Sequence, residues 1–215
     1  NDINANNISK SLKHLLPDWE ILSFPAWDCQ AYDRISPNNQ ITCQRLFCLS
    51  RLIISDNPKQ IIITTSKATI TRTINQETII ENCHQYDVKY KVSHDEIIKK
   101  LIAANYERTE TVNEAGEFAE RGSIIDIFPS NFNKPVRLDF FGNEIESLKY
   151  FDPISQITTE ACKELIITPA SEVILNEKSI SLFKTNYRNL FGIAKSDDLL
   201  FEAVSNNIKH IGIEH

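Results

Sequence analysis

The residues best placed to hold another molecule lie in one short stretch, Val136-Arg137-Leu138-Asp139-Phe140-Phe141, followed by Gly142-Asn143 and Glu144-Ile145-Glu146-Ser147. Apolar and polar residues alternate on both sides of a Gly-Asn pair, which predicts a hairpin with a two-residue turn. That register sets Phe141 opposite Glu144, Phe140 opposite Ile145, Asp139 opposite Glu146 and Arg137 opposite Leu148. Strand side chains alternate between faces, so Val136, Leu138 and Phe140 point to a core while Arg137, Asp139 and Phe141 share the other face. An arginine, a carboxylate and an exposed ring in a row can make charge-assisted hydrogen bonds around an aromatic anchor, the chemistry that protein interfaces use. Glu146 and Asp139 are the carboxylates within reach of Arg137. A plainer reading stays open, in which Phe141 caps a core edge and Arg137 is half of a surface ion pair.

A second arginine precedes the apolar run Ser123–Phe128. In Gly116-Glu117-Phe118-Ala119-Glu120-Arg121-Gly122, the two glycines mark backbone that needs unusual dihedrals or close approach. Arg121 projects from the entry of that strand, and Glu117 supports it. Residues 83–169 hold 10 Lys and Arg against 15 Asp and Glu, so two arginines on one face make a local positive spot. The alternative is that Glu117 or Glu120 neutralises Arg121. Asp126, among Ile124, Ile125, Ile127 and Phe128, is a carboxylate in apolar surroundings and is assigned a structural hydrogen-bonding role rather than catalysis.

Catalytic and cofactor patterns are missing. No G-x-x-x-x-G-K-[ST] loop appears, and Ser66-Lys67 lacks the glycines that let backbone donors close on a phosphate. No G-x-S-x-G is present. His14, His84, His94, His210 and His215 are scattered, and the five cysteines (Cys29, Cys43, Cys48, Cys83, Cys162) lack metal-ligand spacing. The expectation is a chain without an active site, cofactor or metal, holding reduced thiols in the cytoplasm. With 23 Lys and Arg against 29 Asp and Glu the net charge is -6, which opposes a dedicated nucleic-acid binder. Large side chains crowd Phe24-Pro25-Ala26-Trp27 and Ala31-Tyr32-Asp33-Arg34-Ile35-Ser36-Pro37. These are read as a loop packed on the body of the fold. Base stacking is the alternative, with Arg34 and Arg45 as the residues to test.

The elements that position these residues follow from hydrophobic spacing. A short helix over 8–16 is stopped by Pro17, a strand covers 20–24, and a helix covers 41–54. The isoleucines of 60–65 read as a buried parallel strand, so the first 80 residues form an α/β layer. A strand over 84–92 precedes a helix capped by Ser93-His94-Asp95-Glu96, with Ile97, Ile98, Leu101 and Ile102 as its buried stripe. Strands at 106–112, 123–128, 136–141, 145–151 and 164–167 make an antiparallel, β-rich middle. Helices at 180–191 and 197–208 precede a strand at 211–215. The resulting organisation is 1–82, 83–169 and 170–215, with the middle piece inserted into a broken α/β domain. No window is apolar enough for a membrane span. The absence of Met and the polar first turn suggest a chain that begins inside a longer parent.

Several motifs in order resemble one family. Phe24-Pro25 with Trp27, Tyr32-Asp33-Arg34 with Ser36-Pro37, and Gln44-Arg45-Leu46 resemble the first domain of the UvrB-like region in bacterial transcription-repair coupling factors (Mfd). Asn105-Tyr106-Glu107-Arg108, Gly116-Glu117-Phe118-Ala119, Arg121-Gly122, Asp126-Ile127-Phe128-Pro129, Arg137-Leu138-Asp139-Phe140-Phe141 and Phe151-Asp152 resemble its second domain. The resemblance implies an incomplete helicase-like parallel α/β domain (1A), an antiparallel β-rich domain 2 that binds UvrA, and the start of domain 1B. It implies a non-catalytic adaptor that recruits UvrA to couple stalled transcription to nucleotide excision repair, with Arg121, Arg137 and Phe141 as the UvrA-binding residues. It further implies masking of domain 2 by other domains of the parent, and contacts with RNA polymerase and DNA made by domains outside this chain. The alternatives are a UvrB-type DNA-binding or helicase fragment and an intramolecular autoinhibitory packing module.

Overall fold

The structure, a computed structural model, describes residues 2–30, 33–130, 132–195 and 197–214. Helix α1 (Asp2–Leu15) ends just ahead of Pro17, and β1 (Glu20–Phe24) leads through an irregular stretch to α2 (Asn39–Ile54) and β2 (Gln60–Thr64). Asn38 caps α2 by accepting the backbone N–H of Gln40 at 2.8 Å, which satisfies one of the donors a helix start leaves free. β1 and β2 pair in parallel, with Ile21 opposite Ile61 and Phe24 opposite Thr64. The parallel pairing matches the isoleucine run, but burial does not. Ile62 is 44% exposed, because this sheet has two strands and leaves β2 an edge.

Short helices α3 (Ser66–Thr69) and α4 (Gln76–Glu81) lead to β3 (His84–Asp87), α5 (His94–Ala103) and β4 (Glu107–Arg108). Then follow β5 (Glu117–Arg121), β6 (Ile124–Ile127), β7 (Val136–Phe141), β8 (Glu144–Phe151), β9 (Thr158–Ala161) and β10 (Glu164–Ile167). Strands β4 to β9 form one sheet in sequence order, antiparallel except for the short β4–β5 pair. β10 pairs antiparallel with β3. The fold class is mixed α/β, with a parallel two-stranded sheet and a larger antiparallel one.

Ser93 caps α5 by accepting the Glu96 backbone N–H. Ile97 and Leu101 are buried against Phe118, Ile125, Ile127, Leu138 and Leu148 in the main core. Ile98 only flanks that core, and Ile102, read as part of the buried stripe, is exposed. One hundred degrees per residue places 97 and 101 on the sheet and turns 102 away from it.

The chain divides into two compact units, Asn1–Asp28 with Asn38–Glu172, and Cys29–Pro37 with Val173–His215. The second contains α6 (Glu177–Phe191) and α7 (Leu199–Ser205). Phe183, Tyr187 and Phe201 pack ring to ring there. Residues 211–214, read as a strand, are turns. Gly212 has φ +78° and lies close against the Asp33 carbonyl, and the Gly212 N–H donates to Ser36 at 3.0 Å, so this backbone has no ladder to join.

Inside the first unit, Arg45 is fully buried. Its Nε and Nη2 donate to the two Glu172 oxygens, and Nη1 donates to the Pro25 carbonyl at 2.9 Å. The guanidinium lies 4.2 Å from the Phe24 ring centroid and 5.1 Å from that of Trp27, and Trp27 Nε1 also donates to Glu172 at 3.1 Å. Among the described residues no cysteine is in a disulfide, with Cys83 half-buried and the rest buried. Burial pushes Cys43 up to about 12 and Cys48 up to about 11.

Removing Arg45 strands a buried carboxylate, so Arg45→Ala should cost about 3–5 kcal/mol in urea unfolding. Arg51→Ala, which breaks a partly exposed pair with Glu20, should cost under about 1 kcal/mol in the same assay. Thiolates are the reactive form. Iodoacetamide at pH 8 should therefore label Cys83 first in the native protein and all five cysteines only after denaturation, read by mass spectrometry.

Candidate functional site: one face of the six-stranded sheet

The hairpin at Gly142-Asn143 forms as the spacing predicts, with Gly142 at φ +61°. Phe141 lies opposite Glu144 and Phe140 opposite Ile145, as read from sequence. Beyond that the register shifts. Asp139 faces Ser147 rather than Glu146, and Arg137 faces Lys149 rather than Leu148. A β-bulge at Glu146 inserts one extra residue in β8. Its cause is visible in the apolar spacing: Ile145 and Leu148 are three apart and would face opposite sides of a regular strand. The bulge brings both onto the core face, with Phe140 and Leu138, and leaves Glu146 exposed. Glu146 is thus not the carboxylate that holds Arg137.

That role belongs to Asp126. Residues paired across strands share a face, so the register runs Ala119, Asp126, Arg137, Lys149 in one row, and Arg121, Ile124, Asp139, Ser147 in the next. Asp126 is 1% exposed. Its two oxygens accept from Arg137 Nε and Nη2 at 2.7 and 2.8 Å. The hydrogen bonds to Asp126 outweigh burial and hold the Arg137 pKa above its ordinary value. The structural role assigned to Asp126 is therefore a bidentate ion pair on the candidate face. Phe151 lies under the guanidinium at 4.9 Å from ring centroid to Cζ, and the Gln156 carbonyl accepts from Nη1 at 3.3 Å. Phe151 packs with Val112 and Ala119 in a small second core that closes this end of the face.

The other end is open. Arg121 is the last residue of β5, opposite Ile124, not at the entry of β6, because Gly122 at φ +63° makes the turn between them. Its Nη2 donates to the Glu110 carbonyl at 2.8 Å and to the Thr111 hydroxyl at 3.2 Å. Neither suspected carboxylate neutralises it. Glu120 pairs with Arg108, while Glu117 accepts the backbone N–H groups of Asn113 and Glu114 at 2.7 and 2.9 Å and so orders the loop before β5. Asp139 accepts from the Ser147 hydroxyl at 2.6 Å and lies 3.7 Å from Lys149 Nζ. Phe141 is 79% exposed. Strand geometry puts Arg137 and Phe141 about 13 Å apart along β7, with Arg121 about 10 Å to the side of Asp139. The sheet therefore brings Arg121, Arg137, Asp139 and Phe141 to one face, and Glu117 to its margin.

Sequence reading missed Phe151 and Gln156 as supports for Arg137. The spacing Ile145, Leu148, Phe151 carried a signal for the first, since a bulge sends Phe151 to the arginine's side. Gln156 has φ +61° in a loop, which nothing in its neighbours announces. Arg45, offered for DNA contact, is enclosed in the first unit and cannot meet a phosphate. Arg34 is exposed, and Ala31 and Tyr32 lie outside the described residues. Among the described residues no cluster of three His, Cys, Asp or Glu could hold a metal. No described helix is long and apolar enough to cross a membrane.

This sheet and its flanking elements define the class. Residues 85–173 match the UvrB interaction domain family. The whole chain is homologous to bacterial transcription-repair-coupling factors. It is 35% identical to that of Rickettsia bellii (strain RML369-C) over 215 residues, all of this chain and 19% of the relative. Identity to the Escherichia coli (strain K12) protein is 29% over 198 residues, 92% of this chain and 17% of the relative. For Bacillus subtilis (strain 168) it is 28% over 214 residues, 98% and 18%. The chain thus spans about a fifth of the length of the relatives it matches.

The register makes a direct test of the face. Phe140→Ala should cost about 3–5 kcal/mol in chemical denaturation because it empties core volume. Phe141→Ala, one residue on, should change stability by less than about 0.5 kcal/mol.

Proposed function

We propose that the chain is a docking adaptor that holds UvrA on the open end of the six-stranded sheet, linking it to transcription-coupled nucleotide excision repair. The observation that carries this reading is the pairing state of the face. Arg121 donates through Nη2 to a backbone carbonyl and a hydroxyl and forms no ion pair among the described residues, on the same face as an aromatic ring that is 79% exposed. An exposed ring and an unneutralised arginine on a rigid sheet are a desolvation-ready anchor and a charge-assisted donor. The UvrB interaction domain match over 85–173 supports assigning that anchor to the repair machinery.

In this role the chain performs no chemistry. Its carboxylates buried among apolar and aromatic side chains, Asp126 and Glu172, are held by Arg137 and Arg45 and are not available as a general base. RNA polymerase, DNA and nucleotide would be engaged by the parts of the longer relatives that lie outside the matched fifth. Compartment follows partner, and the adaptor would work in the cytoplasm.

The test is isothermal titration of UvrA into this chain. Arg121→Ala and Phe141→Ala should each weaken Kd by roughly 30-fold, about 2 kcal/mol, the loss typical of a central interface residue. The arginine's share should shrink as salt is raised. Wild-type affinity in both variants would remove the face from the interaction.

A further inference from the structure

We propose that Asp126 is a positioning residue of the docking face, fixing Arg137 so that its guanidinium meets the partner already oriented. This rests on the reading of that face as the UvrA surface. A carboxylate inside the run Ile124–Ile127 is costly to bury, and a buried ion pair seldom stabilises a fold more than apolar side chains of the same volume would. Stability therefore gives no reason for Asp126 to be there. Geometry gives one.

Three contacts set the guanidinium in three different ways. The Asp126 carboxylate takes Nε and Nη2 at 2.7 and 2.8 Å and fixes the plane's direction. The Phe151 ring at 4.9 Å supports one side of the group. The Gln156 carbonyl, held by left-handed backbone and by side-chain hydrogen bonds to Val112 and Pro153 carbonyls at 3.1 and 2.7 Å, takes Nη1. A guanidinium has five N–H donors. Three are used, which leaves one on each η nitrogen for an incoming acceptor. The side chain is 18% exposed, enough for the group's edge to be reached from outside. Ala119, opposite Asp126, adds no competing polar group. An arginine held in this way has lost its rotamer freedom before binding, and binding does not have to remove it again.

The two arginines then differ in kind. Arg137 is a fixed donor whose charge is already balanced by Asp126, and it reads the position of an acceptor. Arg121 is held only by a carbonyl and a hydroxyl and carries an unbalanced charge.

The experiment is a double-mutant cycle with UvrA as titrant and the 215-residue chain as host. Asp126→Asn should weaken Kd by about 2- to 13-fold, the cost of ordering one long side chain on binding. It should have no further effect in an Arg137→Ala background, with cooperative thermal unfolding kept in each variant. Phe151→Leu, which leaves the ion pair and keeps apolar volume, gives a second route. It too should weaken binding only when Arg137 is present. Equal losses with and without Arg137 would mean that Asp126 acts on the fold, and the positioning role falls. Wild-type affinity in Asp126→Asn and Phe151→Leu, with Arg137→Ala impaired, would also overturn it while leaving the docking reading intact. If Arg121→Ala, Arg137→Ala and Phe141→Ala all bind as wild type, the docking reading itself has failed.

Discussion

The Asp126–Arg137 pair is the interaction on which the sheet's second face depends. A six-stranded sheet with one covered face needs its other face either polar or covered, and this one is divided between the two. Val112, Ala119 and Phe151 form a small apolar layer at one end, and at the other Arg121 and Phe141 are exposed with Ile124 and Asp139 half-buried between them. The ion pair sits at the boundary. Its carboxylate is buried and its guanidinium extends over Phe151 toward the open part. If Arg137 were absent, a desolvated charge would remain between the core strands β5 and β7. The pair therefore commits the sheet to having a polar, rigid edge where the apolar layer stops.

The loops around that boundary answer to a second constraint, close approach. Gly116 has φ +89°, and a Cβ there would lie 3.3 Å from Cys43 Sγ and 3.4 Å from Ala170 Cβ. The preceding carbonyl, Ala115, accepts from Asn39 at 2.9 Å. The start of β5 is thus pressed against the first turns of α2, whose later residue Arg45 is locked to Glu172. One helix holds both the loop between β4 and β5 and Glu172, beyond the last strand. The loop before β5, tied further by Glu117, is set by packing outside the sheet as well as by its own turn.

Much of this was legible in the sequence where one local rule decided the outcome. Alternation in 136–141, the Gly-Asn turn, the Ser93 cap and the isoleucines of β2 each needed only period or turn chemistry. Errors came where two rules competed. Strict alternation across the hairpin would have put Leu148 in solvent, and burial won by inserting a bulge, which displaced Glu146 and changed the partner of Asp139. Arg45, named only for the base-stacking alternative, is buried although arginines usually are not. Its burial depends on Glu172, 127 positions away, and no local pattern carries that pairing. β9 is exposed at all four residues, so it had no hydrophobic signal to read. Ile62 failed in the opposite sense, since a run of isoleucines reports strand propensity but not how many neighbours the strand will have.

The same competition explains why the candidate residues could be placed on one face before their charge partners could. Arg137 and Phe141 lie on one face by simple parity, and the bulge does not change parity within β7. Arg121 joins them through two strand registers, each fixed by apolar pairs such as Phe118 with Ile127 and Ile125 with Leu138. Position followed from the core. Role depends on what neutralises each charge, and that is set across the sheet rather than along it. Glu120, adjacent to Arg121 in sequence, points to the opposite face and pairs with Arg108. Asp126, 11 positions from Arg137, lies directly beside it. Two arginines that look alike in the chain therefore become one balanced, immobile donor and one unbalanced, more adaptable donor. A partner that docks here would meet orientation at the first and long-range attraction at the second, which separates specificity from association rate on a single face.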